Sequence, residues 1–157
     1  MAPTKTKCSR GRRRSQSGVA LVEFALVLPV LMLILVGVVD FGKAINYWID
    51  ETHLASEAAR YAAVSGNPGS GTLAAYIQGQ ADTAELRSGS ARVSKMSVCI
   101  TTPAGTAVGS PVTATVTTNY SWIPLLGNRI GTASSNITVT ATMRLETPPA
   151  ANIVGCS

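Results

Sequence analysis

The sequence predicts an α+β protein: a long N-terminal transmembrane and amphipathic helix packed on a small antiparallel sheet. Three observations carry that expectation. An apolar run follows directly on a basic segment, a helical apolar period continues beyond the run, and after Gly89 the pattern changes to alternation.

The basic segment comes first. Residues 1–18 hold six basic side chains (Lys5, Lys7, Arg10, Arg12, Arg13 and Arg14) and no acidic one. Seven basic and eight acidic groups remain after it, so the formal charge of +5 describes the leader and not the rest of the surface. Such a run either binds phosphates or marks the cytoplasmic flank of a membrane segment. The apolar stretch that follows at once decides for the membrane. No helix-turn-helix, zinc-finger or aromatic–basic pattern supports a nucleic-acid partner, and none is expected. Rich in Ser, Gly, Lys and Arg, residues 1–17 are expected to be disordered.

Phe24–Val39 contributes sixteen residues without a charged or strongly polar side chain. With Val19–Val22, and tolerating Glu23, the span is 19–39, long enough for one helical crossing of the lipid bilayer at about 1.5 Å per residue. The flank after it nearly cancels in charge (Asp40, Lys43, Asp50, Glu51), so the positive-inside bias puts the N-terminus in the cytoplasm. A removable secretory signal is the competing account, but DFGKAINYW after Val39 offers no small-residue cleavage site.

The helical pattern extends over 19–64, about 69 Å of helix. Pro29 removes a backbone donor, and a bend is expected near 25–29. Gly37 and Gly42 permit close packing. Phe41, Ile45, Trp48, Ala55, Ala59 and Ala62 form the expected packing stripe, and Gly66–Gly69 ends the helix through a left-handed cap and Pro68. The organisation is therefore 1–18 basic leader, 19–39 transmembrane helix, 40–66 extracytoplasmic continuation of that helix, and 67–157 a small domain with strands.

Within that domain, 72–87 reads as one short helix weakened by Gly79. Three alternating sets follow: Met96, Val98 and Ile100; then Val112 through Trp122; then Ile137, Val139, Ala141, Met143 and Leu145, the cleanest. Turn signals at Pro103–Gly105, Gly109–Pro111 and Gly127–Gly131 separate them. Packing the sheet on the outer half of the helix buries both apolar faces.

Catalytic signatures are missing from the sequence. His53 is the only histidine and reads as a helix-surface residue. Asp50 and Glu51, with Glu57 further on, read as solvated helix charges and not as an acid–base pair. There is no nucleophile elbow, phosphate loop or dinucleotide fingerprint, and no cysteine pair has metal-site spacing. No enzyme activity, cofactor or metal is expected. Cys8 lies in the leader. Cys99 and Cys156 fall on the oxidising side, where a disulfide is permitted; a bridge is expected, free thiols being the alternative. Tyr120, Trp122, Ile123, Pro124, Leu125 and Leu126 are apolar enough for a binding edge, but are expected to seal the core or rest near the membrane.

The strongest motif joins Gly18 to VALVEF. A peptidase at the membrane surface needs a small residue before the cut, a polar unfolded approach and an apolar segment beyond it, and the sequence supplies all three. Glu23, followed by Phe24, is an ionisable group at the start of a span, which is costly and marks a function. Together, SGVALVEFALVLPVLMLILVGVVDFG and ETHLASEAARYAAVSG resemble the TadE-like family of tight-adherence (Flp) pilus biogenesis proteins, close in plan to type IV pseudopilins.

That resemblance implies a pseudopilin-like fold and cleavage by a prepilin peptidase between Gly18 and Val19. It implies that Glu23 registers the subunit beside other pilin or pseudopilin subunits, on an inner-membrane pilus assembly platform. A neighbour's freed Val19 amine would pair with Glu23 in low dielectric; the alternative is that Glu23 snorkels to the headgroups. Val19 stands where main type IV pilins carry phenylalanine, and the extra domain is unlike the very short major Flp pilin, so a minor or accessory subunit of the bacterial cell membrane is implied. An uncleaved single-pass anchor, its extracytoplasmic domain binding an envelope partner, is the other reading.

Overall fold

The computed structural model describes residues 16–123 and 134–157, with side chains from Gly18 onward. Most of the expected leader, with Cys8, lies outside the described residues, as do Pro124–Leu126 and the turn expected at Gly127–Gly131. Two compact units result, one ending at Val39 and the other spanning Asp40–Ser157. Helix α1 (Gln16–Ala63) runs through the boundary.

In the first unit the apolar side chains of α1, from Val19 to Val39, are largely exposed, and the helix carries one segment long and apolar enough to cross a membrane. It stays continuous through Pro29. It also starts before Gly18, so the last residues of the approach are helical and not unfolded as expected. Adding Gln16 and Ser17 to an existing helix needs no new nucleus, which makes the extension inexpensive.

In the second unit, α1 buries Ala44, Tyr47, Glu51, Leu54, Ala55, Ala58, Ala59 and Ala62 against the sheet. The expected stripe is corrected in its first half: Phe41, Ile45 and Trp48 are exposed, Trp48 at 53%. Two apolar stripes run along this stretch, and the buried one over its first half is Ala44, Tyr47 and Leu54; the second half of the expected stripe, Ala55, Ala59 and Ala62, is buried. Asp50 and Glu51, expected in solvent, are also corrected: both are buried. The helix ends in a Schellman arrangement, with Gly66 N–H on Tyr61 C=O (2.8 Å) and Ser65 N–H on Ala62 C=O (3.2 Å). Ser65, not the expected glycine or asparagine, takes the left-handed position at φ 53°; its hydroxyl accepts the Ala150 N–H at 2.9 Å.

The single helix expected over 72–87 is two, α2 (Leu73–Gly79) and α3 (Ala84–Ser88). Gly79 ends the first, and each starts on a threonine cap. Thr72 Oγ1 accepts the Ala75 N–H at 3.2 Å, and Thr83 Oγ1 accepts the Leu86 N–H at 3.4 Å.

Strands β1 (Ser97–Thr101), β2 (Pro111–Ser121), β3 (Ser134–Arg144) and β4 (Gly155–Cys156) form an antiparallel sheet in the order β3-β2-β1-β4. The expected alternation is real on β2, where Val112, Ala114, Val116, Thr118 and Tyr120 are all buried. Its outer face pairs with β3 through threonine hydroxyls, Thr113–Thr142 at 3.1 Å and Thr117–Thr138 at 3.2 Å. The inward residues of β3 are only half-buried, because β3 is the edge strand. Both ends of the second-unit part of α1 meet the sheet: Asp40 near the end of β2, and Ala63, whose carbonyl accepts the Glu146 N–H at 2.8 Å, just past β3.

Candidate functional site

The residues singled out for processing and assembly all lie on α1 in the first unit. Gly18, Val19, Glu23 and Phe24 are exposed, and nothing lies within 4 Å of a Cβ built on Gly18. Val19 directly follows Gly18, and Glu23 comes a little over one turn after Val19 on the helix. Among the described residues, the side chains of this segment are therefore free to meet lipid or another helix.

A second constellation opens the other unit, one that the sequence did not single out. Asp40, the first residue after the span, is only 2% exposed although it is ionisable. Its Oδ1 accepts the Tyr120 hydroxyl at 2.5 Å and the Arg92 guanidinium, and its Oδ2 accepts the Ile123 N–H at 3.0 Å. Burial on its own would raise the carboxyl, but the Tyr120 hydroxyl, the Ile123 N–H and the charge and hydrogen bond of Arg92 together hold it below the usual aspartate value. The same contact raises Arg92, while burial and then Asp40 push the Tyr120 hydroxyl up to about 12.

The cluster is locked from several elements. Arg92 also donates from Nε to Ser121 C=O at 3.2 Å, and its guanidinium lies 5.5 Å over the Tyr120 ring. Tyr47 stacks at 5.7 Å on Tyr120 and gives its hydroxyl to Glu85, which Lys43 also approaches. Trp122 packs edge-on against Tyr120 at 5.1 Å and donates to Ser135 Oγ at 3.2 Å. Of the expected apolar group, Tyr120 therefore enters the core, with Trp122 and Ile123 half-buried beside it. One signal could have found this site: a carboxylate ending an apolar span needs a partner if it is buried, and Arg92 was a free cation in the sequence.

Further along α1, Asp50 Oδ2 accepts the Asp82 N–H at 3.0 Å and so ties the helix to the α2–α3 turn. Burial raises its carboxyl; the charge of Asp82 adds to this, while the N–H groups of Asp82 and Thr83 oppose it. His53 is exposed on the rim of a shallow trough with Glu57, Arg60, Val64, Met143 and Glu146. Among the described residues, no group of three or more His, Cys, Asp or Glu is placed to hold a metal ion. Cys99 and Cys156 are joined in a disulfide at directly opposed positions of β1 and β4, with Cα atoms 4.1 Å apart.

Compared with known proteins, residues 18–60 match the family described as TadE-like protein. No curated protein and no solved structure matches the chain. The matched stretch opens on Gly18 and takes in Glu23, Asp40, Asp50 and Glu51, whereas all four strands and the disulfide lie beyond it.

Proposed function

We propose that the protein is a prepilin-like accessory or minor subunit of a tight-adherence pilus assembly system, anchored by one membrane span. The observation that carries this reading is the position of Gly18. It is the first residue of the matched stretch, lies in the first turn of α1 between the basic segment and the apolar run, and has room for a Cβ among the described residues. Under this reading a prepilin peptidase cuts between Gly18 and Val19. The span leaves the domain outside the cytoplasm, and Glu23 sets the axial position of the subunit against neighbouring helices. The protein has no chemistry of its own to perform; it is a substrate of the peptidase and then a structural part of the machine.

Mass spectrometry of the membrane-bound protein tests this. A mature chain beginning at Val19 in cells with an active prepilin peptidase, and still carrying the basic leader in cells without it, is the expected result. A chain that keeps the leader and begins near Met1 in both overturns the reading and leaves an uncleaved anchor with an envelope-binding domain.

A further inference from the structure

We propose that Glu51 is a proton-binding site built into the seam between α1 and β2, occupied by a proton in the closed seam, so that rising pH loosens the helix from the sheet. Glu51 is fully buried in the line Ala44, Tyr47, Glu51, Leu54, Ala58 that α1 lays on the sheet. Thr118 occupies the matching place on β2, between Val116 and Tyr120. Both carboxyl oxygens of Glu51 and the Thr118 hydroxyl are buried without a hydrogen-bond partner. Thr118 stands near enough to favour the ionised form of Glu51 against the larger effect of burial, but no donor–acceptor pair of hydrogen-bond geometry joins them. A carboxylate in such a place is far more costly than a neutral acid, which can turn its O–H toward Thr118 Oγ1.

Among the described residues, no cation offsets that cost. Neither ion pair among the described residues involves Glu51. Its charged neighbour is Asp50, a like charge that also favours the protonated state. Other titratable groups on the packed elements are engaged or exposed. Tyr47 is bound to Glu85 of α3 and Tyr120 to Asp40, the Tyr76 hydroxyl on α2 accepts from Gln80, and Arg87 on α3 donates to Ala81 C=O. His53 faces solvent, as does Arg144 of β3, and β1 carries only the bridged Cys99.

Burial, with the smaller contribution of Asp50, pushes Glu51 up to about 7 from an ordinary 4.5. The folded value is the higher one, so the stabilisation is complete below the unfolded value, falls as pH rises from there to about 7, and levels off above it.

Unfolding of the full chain in detergent micelles, wild type against Glu51→Gln, tests the site between pH 4.5 and 8. The wild-type unfolding constant is expected to rise relative to the variant's on the order of a hundredfold across that range. A ratio that does not change with pH overturns the proposal. Should the variant fail to fold, amide hydrogen exchange of wild-type residues 47–55, corrected for intrinsic rates, serves instead. Protection falling with pH up to about 7 supports the site, and protection independent of pH overturns it.

Discussion

Asp40 and Tyr120, 80 positions apart in the chain, share a 2.5 Å hydrogen bond that fixes the end of β2 to α1 where the helix enters the second unit. The bond is one of several on a single buried carboxylate, so its removal leaves the Ile123 N–H and part of Arg92 unsatisfied, and leaves the Tyr120 hydroxyl only the Asp40 C=O, at 3.3 Å, to donate to. Asp40→Ala is therefore expected to cost about 3 kcal/mol, read from denaturant unfolding of the full chain in detergent. A loss below half a kcal/mol would mean that the cluster does not anchor the helix.

Acid should expose the same residue. The Asp40 value is depressed in the folded state, so its contribution is present above the ordinary aspartate value of 3.8 and is lost as pH falls from there toward the folded value. The thermal midpoint of Asp40→Asn should accordingly fall less than that of the wild type over this acid window. Equal falls in both proteins would contradict the assignment.

Under the proposed cleavage, Gly18 should separate processing from folding. Because a Cβ at this position meets nothing within 4 Å, Gly18→Leu should leave the fold and its thermal midpoint unchanged. Cleavage by the peptidase should nevertheless be blocked, leaving the full-length mass in membranes. A normally trimmed Gly18→Leu protein would detach Gly18 from the cut.

The two faces of α1 should respond oppositely to substitution. Ala58 is fully buried, so Ala58→Leu overpacks the seam and is expected to cost about 1–3 kcal/mol. Trp48→Ala, on the exposed face, should stay within about 1 kcal/mol of the wild type. Equilibrium unfolding of both variants decides which stripe the sheet covers.

Reduction tests the Cys99–Cys156 bridge, which closes a separation of 57 residues. Cys156→Ser, or reductant added to the wild type, should lower stability by about 2–4 kcal/mol. An unchanged melting curve under reductant would show that β4 is held without the bond.

Much of this architecture was legible in the residues. Alternation over Val112–Trp122 and 137–145, the long apolar period and the turn signals were strong local patterns, and they located α1, β2 and β3. What failed was the choice of face in the first half of the stripe. Phe41, Ile45 and Trp48 read as no less apolar than Ala44, Tyr47 and Leu54, and a helical period does not say which of two apolar stripes the sheet covers, whereas Ala55, Ala59 and Ala62 are buried as the stripe implied. Glu51 was misplaced for a related reason: polarity assigned it to water, whereas its position one turn before Leu54 and Ala55 assigned it to the core. Strand β4 has two residues, too few for any periodicity, and β3 shows that clean alternation does not distinguish an edge from a centre. Of the candidate groups, Glu23 and Gly18 stood out through contrast with their surroundings. Asp40 did not, since its partners are brought to it only by the fold.

The clasps at the two ends of the Asp40–Ala63 stretch of α1 also have a mechanical meaning. Asp40 holds the stretch at one end and the Ala63–Glu146 hydrogen bond at the other, with the buried seam between them. A pull along the helix axis would load the seam in shear, and the strain would be shared across its whole length. Peeling, which breaks contacts one at a time, would first have to open a clasp, so this stretch of α1 and the sheet should respond to tension as a single stiff strut.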